Sequence, residues 1–207
     1  MQRNYSIDIL KFICAALVVL LHTNSSYQNL VSPITRCAVP CFFMISGYLL
    51  YDGKRIGEIR LKRSIANILK ITLWSTLLFA ILKEIIAFHH GNLYFPNVNE
   101  WICFIVLNEN PFGFHLWYLG AYLYVLFIVI LVDRYDKWHF MFKAIPVLLV
   151  CDLIFGKYSL LLIGKEYPFI FVRNFLFVGL PYFALGCWLK TKQNRITSVN
   201  RYLLSGG

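Results

Sequence analysis

Lys11 and His22 stand eleven positions apart, and the stretch between them, Phe12 to Leu21, carries no charged residue. At about 100° per residue, eleven steps close about three turns, so on a helix the ammonium and the imidazole share a side, roughly 16 Å apart along the axis. That separation is about half the hydrocarbon thickness of a bilayer. Ionisable groups on a membrane helix are expensive to insert and are read first as functional. Imidazole titrates near neutral pH, which suits His22 to act as a general base on an acceptor hydroxyl. A plainer reading also fits, with Lys11 a snorkelling anchor and His22 a polar group at the outer helix end. Asp8, one turn before Lys11, is placed to pair with it and lower its insertion cost.

Four further places carry polar chemistry in apolar surroundings. Arg60 and Arg63, spaced i and i+3, share a helix face and can chelate phosphate oxygens through forked hydrogen bonds, although a basic cluster at a cytoplasmic helix end explains them equally well. Ser46-Gly47 removes bulk within an apolar run, which admits either a neighbouring helix or a ligand. No Gly-x-Ser-x-Gly turn surrounds Ser46, so a nucleophilic serine is not indicated. His115 precedes Trp117 and Tyr118, residues that an interfacial aromatic belt accounts for, and it can line a polar cavity. Arg173 falls just inside an apolar run and must snorkel or find a partner in a bundle.

The elements that must hold these residues are membrane helices. The chain is 59% hydrophobic, 17% aromatic and only 14% charged, against about 25% charged in soluble domains. Six apolar stretches are expected to span: 7–24, 37–51, 65–88, 116–132, 140–155 and 168–189. A shorter run, Trp101–Leu107, is too brief to cross and lies in the interface or re-enters. Pro40 falls in the first turn of its span, where a missing N–H costs little, whereas Pro146 and Pro181 should kink theirs. The fold class is therefore all-α, a polytopic transmembrane helical bundle.

Twenty Lys and Arg against ten Asp and Glu give a net charge of +10. In a soluble domain this would point to nucleic acid. Here the basic residues fall between apolar runs and set topology, so the lipid bilayer is the expected partner and nucleic acid is not. Lys54, Arg55, Arg60, Lys62 and Arg63 crowd 52–64, and Arg134, Lys137 and Lys143 crowd 133–143. Lys190, Lys192, Arg195 and Arg201 mark the tail, while 89–115 holds no Lys or Arg. Both termini should face the cytoplasm. The six cysteines (14, 37, 41, 103, 151 and 187) form no CxxC pair or Cys/His cluster, so neither a metal nor a disulfide framework is expected. Asp8 and Lys11 interrupt the first apolar run and no small-x-small site follows it, so that run reads as a retained span rather than a signal peptide.

The segments Ser6-Ile-Asp-Ile-Leu-Lys-Phe…His22, Val39-Pro-Cys-Phe-Phe-Met-Ile-Ser-Gly-Tyr, Arg60-x-x-Arg63, His115-Leu-Trp-Tyr-Leu and Arg173-Asn-Phe-Leu-Phe-Val-Gly-Leu-Pro-Tyr together resemble the integral-membrane acyltransferase-3 family. The wording around His115 and Arg173 also resembles the membrane domain of vancomycin-resistance-type serine racemases. The resemblance covers nearly the whole chain. It implies a multi-pass protein of a prokaryotic plasma membrane that moves an acyl group, typically acetyl, from acetyl-CoA or another acyl-CoA to a hydroxyl of a cell-surface glycan or similar acceptor. It implies Lys11 and His22 in the active centre and Arg60 and Arg63 on the donor side; Ser46, His115 and Arg173, read from their own settings, are the candidates for the substrate. Family members carry more spans than the six counted here, so residues 1–207 are expected to be a single membrane domain incomplete at its C-terminus. A transport or sensory module of the kind that accompanies the racemases, or an inactive truncation, is the alternative.

Overall fold

Helix α1 (Tyr5–His22) begins with an acidic residue, Asp8, in its first turn and ends with His22 in its last, both favourable to the helix dipole. Its less exposed positions Ile7, Lys11, Cys14, Val18 and Leu21 repeat at four and three residues, the seam spacing of packed helices, and α1 lies against α2 (Ala38–Leu50) along that seam. The computed structural model describes residues 5–23, 33–156, 159–165 and 174–205. Among these every regular element is helical, with one isolated extended bridge between Tyr51 and Ile56. The chain divides into two compact units, residues 1–57 with 182–207, and residues 58–181.

In the first unit α2 also meets α8 (Leu180–Ser205). Lipid removes the hydrophobic drive between membrane helices, so close van der Waals approach has to supply it. Gly47 and Gly186 permit that approach reciprocally. A Cβ on Gly47 would overlap the Phe183 carbonyl, and one on Gly186 would overlap the Met44 carbonyl. Cys187 Sγ donates to the Gly47 carbonyl at 3.5 Å across the same seam. After α2 the chain reverses in a four-residue turn. Asp52 Oδ1 accepts the N–H groups of Lys54 and Arg55 at 2.8 Å each, and Gly53 takes φ 109°, a conformation that suits glycine.

The second unit opens with α3 (Glu58–His89), 32 residues and so about 48 Å long, well beyond a hydrocarbon layer of about 30 Å. Its first turns carry the Arg60-x-x-Arg63 pair on a helix, the setting that their i, i+3 spacing assumes. Glu58 sits in the first turn and pairs with Lys62 at 2.6 Å, and no glycine or proline lies between Gly57 and Gly91, so Arg60, Lys62 and Arg63 ride on the helix. Helix α4 (Val98–Leu107) is the short run, closed by Asn108 in the left-handed region at φ 54°. A 3-10 turn, Phe114–Leu116, leads into α5 (Trp117–Arg134), whose Ala121, Tyr122, Val125, Leu126 and Val129 form the buried centre of the unit. Ser64 of α3 and Tyr122 of α5 share a hydrogen bond at 3.3 Å.

Helix α6 (Trp138–Phe155) runs through Pro146, and the short α7 (Ser159–Ile163) follows. Pro181 follows a locally widened turn. The turn before it, Phe175–Gly179, is π-helical, with the Leu180 N–H reaching back five residues to Phe175 and Asn174 Oδ1 capping Phe177 N at 2.7 Å. A wide turn loosens the ladder where proline can neither donate nor tolerate the ordinary carbonyl.

Among the described residues, five helices are long and apolar enough to cross a membrane: Tyr5–His22, Pro33–Leu50, Glu58–His89, Trp117–Arg134 and Trp138–Phe155. They match the first five expected spans. The sixth, 168–189, begins at positions outside the described residues.

Candidate functional site

On α1 the rise from Lys11 to His22 places both on one side of the helix. Packing differentiates them. Lys11 is half-buried at the edge of the seam with α2, one turn before the buried Cys14, whereas His22 is exposed at the last turn. The helix end is closed by Thr23, whose hydroxyl donates to the Leu20 carbonyl at 2.9 Å. Ser46 lies in the same unit, half-buried on α2, and its hydroxyl donates to the Phe42 carbonyl at 2.8 Å. That back-bond engages its proton within the helix, while Gly47 beside it seats α8.

The second unit holds the other candidates. Arg60, half-buried, and Arg63, exposed, stand on the first turns of α3. His115 is half-buried in the 3-10 turn, its ring edge-on to Phe79 with centroids 4.4 Å apart. Gly113 makes room beneath that ring, since a Cβ there would come within 3.0 Å of His115 Cε1. Arg173 lies outside the described residues. Lys11, His22 and Ser46 thus share one unit, and Arg60, Arg63 and His115 the other.

Sequence reasoning missed the groups that position the His115 segment. Lys83, within α3, donates to the Pro111 carbonyl at 2.7 Å and lies 3.5 Å from the centre of the Tyr94 ring. Tyr94 OH donates to Glu100 Oε1 at 3.0 Å, and its N–H to Glu84 Oε2 at 3.2 Å. Asn110 ties the same loop to α3 through Thr76 Oγ1 at 2.8 Å. A lysine within a membrane helix is costly, and a carbonyl plus an aromatic face is the compensation. Two signals were readable: Lys83-Glu84 inside an apolar run, and Asn97-x-x-Glu100, a capping box that forms with both of its hydrogen bonds.

Residues 4–207 match the family model described as an acyltransferase domain, of the acyltransferase-3 type. The chain belongs to the acyltransferase-3 family. With five helices among the described residues able to cross a bilayer, this acyltransferase-3 domain is a membrane protein. Among curated proteins it is similar to an amino-acid racemase of Enterococcus faecalis, 26% identical over 220 aligned positions. The match takes in 96% of this chain and 30% of the relative, so the acyltransferase-3 chain spans less than a third of that protein's length. No solved structure matches it. Among the described residues no group of three or more His, Cys, Asp or Glu is arranged to hold a metal ion.

Proposed function

We propose that this domain transfers an acyl group, acetyl foremost, from acyl-CoA to a hydroxyl of a cell-surface glycan or similar acceptor at a prokaryotic plasma membrane. The observation carrying this reading is the match of residues 4–207 to an acyltransferase domain, joined to a helix that sets Lys11 and His22 on one side. In the reaction His22 takes the acceptor hydroxyl proton while the oxygen attacks the thioester carbonyl. The C–S bond breaks, and the departing thiolate receives that proton from the imidazolium. Lys11 offsets negative charge on the donor as it draws near, and Arg60 with Arg63 holds the donor's phosphates through forked hydrogen bonds. Ser46, His115 and Arg173 are assigned to the acceptor. The roughly 16 Å between Lys11 and His22 is then the distance the flexible pantetheine arm bridges along α1.

The test is His22→Ala in the protein as its gene encodes it. Acyl transfer should fall by about 10²–10⁴-fold, the usual share of a general base, with insertion and helix content unchanged. Near-normal turnover would make His22 structural and remove the mechanism. A second reading, a transport or sensory module serving a racemase, is favoured by the similarity to the Enterococcus protein. It predicts ligand binding with no acyl turnover in the parent protein.

A further inference from the structure

One face of α3 grips the loop that carries His115 at three points. Thr76, Phe79 and Lys83 follow one another at three and four positions, an arc of about 60° on an α-helix, and all three are half-buried. Each holds a different residue of the segment 110–115. Thr76 Oγ1 accepts from Asn110 Nδ2 at 2.8 Å, Lys83 Nζ donates to the Pro111 carbonyl at 2.7 Å, and the Phe79 ring meets the His115 imidazole edge-on. Side chains on a helix lean toward its N-terminus, so Lys83 leans back to the turn that carries Phe79. The ammonium tether and the imidazole contact thus sit on adjacent turns of one face.

The loop is built to transmit what Lys83 holds. The Pro111 ring fixes its own φ, so a displaced carbonyl there passes its movement along the chain. Phe112 has little slack: its N–H donates to Asn110 Oδ1 at 3.0 Å, and its ring lies edge-on to Tyr94 and to Trp101, with centroids 6.2 Å away in both cases. The Gly113 N–H returns to the Asn110 carbonyl at 3.3 Å and the Leu116 N–H to the Gly113 carbonyl at 2.9 Å, which closes the turn around His115. Lysine is an expensive choice of tether, because charge on a membrane helix is costly to insert. Tyr94, whose hydroxyl lies 3.4 Å from the same Pro111 carbonyl, already offers a neutral donor there. What the ammonium adds is a short, charge-assisted bond, flanked by the Tyr94 ring at 3.5 Å, that fixes the register of the loop along α3.

We propose that Lys83 is a positioning residue for His115: through the Pro111 carbonyl it sets where the imidazole stands for the acceptor. The proposal rests on the reading of His115 as an acceptor-binding residue and adds to it a residue that does not itself touch the acceptor.

The experiment compares the parent, Lys83→Met and Lys83→Arg as full chains in phosphatidylcholine nanodiscs, isotopically labelled at histidine Cε1. The His115 resonance is the one that disappears in His115→Gln. In Lys83→Met it should shift and broaden as the imidazole leaves its place beside the Phe79 ring, while the His22 resonance, from the other unit, stays where it was. Lys83→Arg keeps the charge and a donor and should restore it at least in part. The same variants are then given radiolabelled acetyl-CoA, with membranes of cells lacking the gene as acceptor. Transfer at low acceptor should fall by about 10–10²-fold in Lys83→Met, the order expected of a misplaced group, with half-saturation by acetyl-CoA unchanged. A lysine that only stabilises the fold would lower the unfolding midpoint and leave the resonance and the acceptor dependence in place, which would overturn the proposal. Should Lys83→Met fail to assemble, Lys83→Gln retains a polar group but reaches one bond less far, and parent-like resonance and transfer in that variant would overturn it equally. Impaired His115→Gln beside parent-like Lys83 variants would overturn the proposal alone. Normal transfer by His115→Gln would remove the acceptor reading of His115, and the proposal with it.

Discussion

Two hydrogen-bond donors converge on the Glu100 carboxylate: the Asn97 N–H, at 2.8 Å, and the Tyr94 hydroxyl, at 3.0 Å. The Asn97 N–H contributes most, followed by Tyr94, and together with the Lys83 charge they hold the Glu100 pKa below the ordinary glutamate value. A carboxylate depressed in the folded state stabilises it above the unfolded pKa, and that contribution is lost as pH falls through the folded one. The start of α4 should therefore loosen on acidification below the ordinary glutamate range. Glu100→Gln keeps an acceptor for the capping box but cannot titrate, so its behaviour should be flat over the same interval. Hydrogen exchange at the α4 first-turn amides, corrected for intrinsic rates, measures this. Parallel pH profiles in the two proteins would show that Glu100 does not control the docking. At this scale the sequence was only half legible. The Asn97-x-x-Glu100 spacing announces a cap, but nothing in it says that Tyr94 and Lys83 will meet there.

Among the elements, α2 and α8 make the most demanding contact, since backbone meets backbone at Gly47 and Gly186. A flexible side chain can move out of the way of a new methyl group, whereas a carbonyl within a helix cannot without displacing the helix. Gly47→Ala should therefore destabilise the protein by about 1–3 kcal/mol, the usual cost of overpacking. Thermal unfolding in mild detergent should show a lower midpoint, while Ala66→Leu on the exposed face of α3 should leave it in place. An unchanged midpoint for Gly47→Ala would mean that the two helices can part at no cost. Ser46-Gly47 was visible in the sequence as a thinning of bulk. Whether a helix or a ligand would fill it was not visible, because the answer depends on Phe183 and Cys187, some 140 positions away in the chain.

For the molecule as a whole, the distribution of Lys and Arg sets the orientation across the membrane. The turn at Asp52–Arg55 and the N-terminal end of α3 should lie in the cytoplasm, and the connection following His89 outside. In a cysteine-free background Asn92→Cys should react with a membrane-impermeant maleimide on intact cells. Lys54→Cys should react only after permeabilisation. The opposite pattern would invert the map and move the α3 cations away from a cytoplasmic donor.

Composition and apolar run length by themselves determined that this chain is helical and membrane-spanning. Desolvating a backbone leaves a bilayer segment few choices, and that constraint is local. The eleven-residue step also fixed Lys11 and His22 to one side of α1, because helix geometry repeats without reference to neighbours. Tertiary structure decided what these sides meet: that Lys11 borders a packed seam while His22 stays exposed, and that Gly47 receives a backbone. It also decided that Lys83 is satisfied by a carbonyl and a tyrosine ring. Each outcome depends on groups distant in sequence brought together by packing, and periodicity within one helix carries no record of its partner.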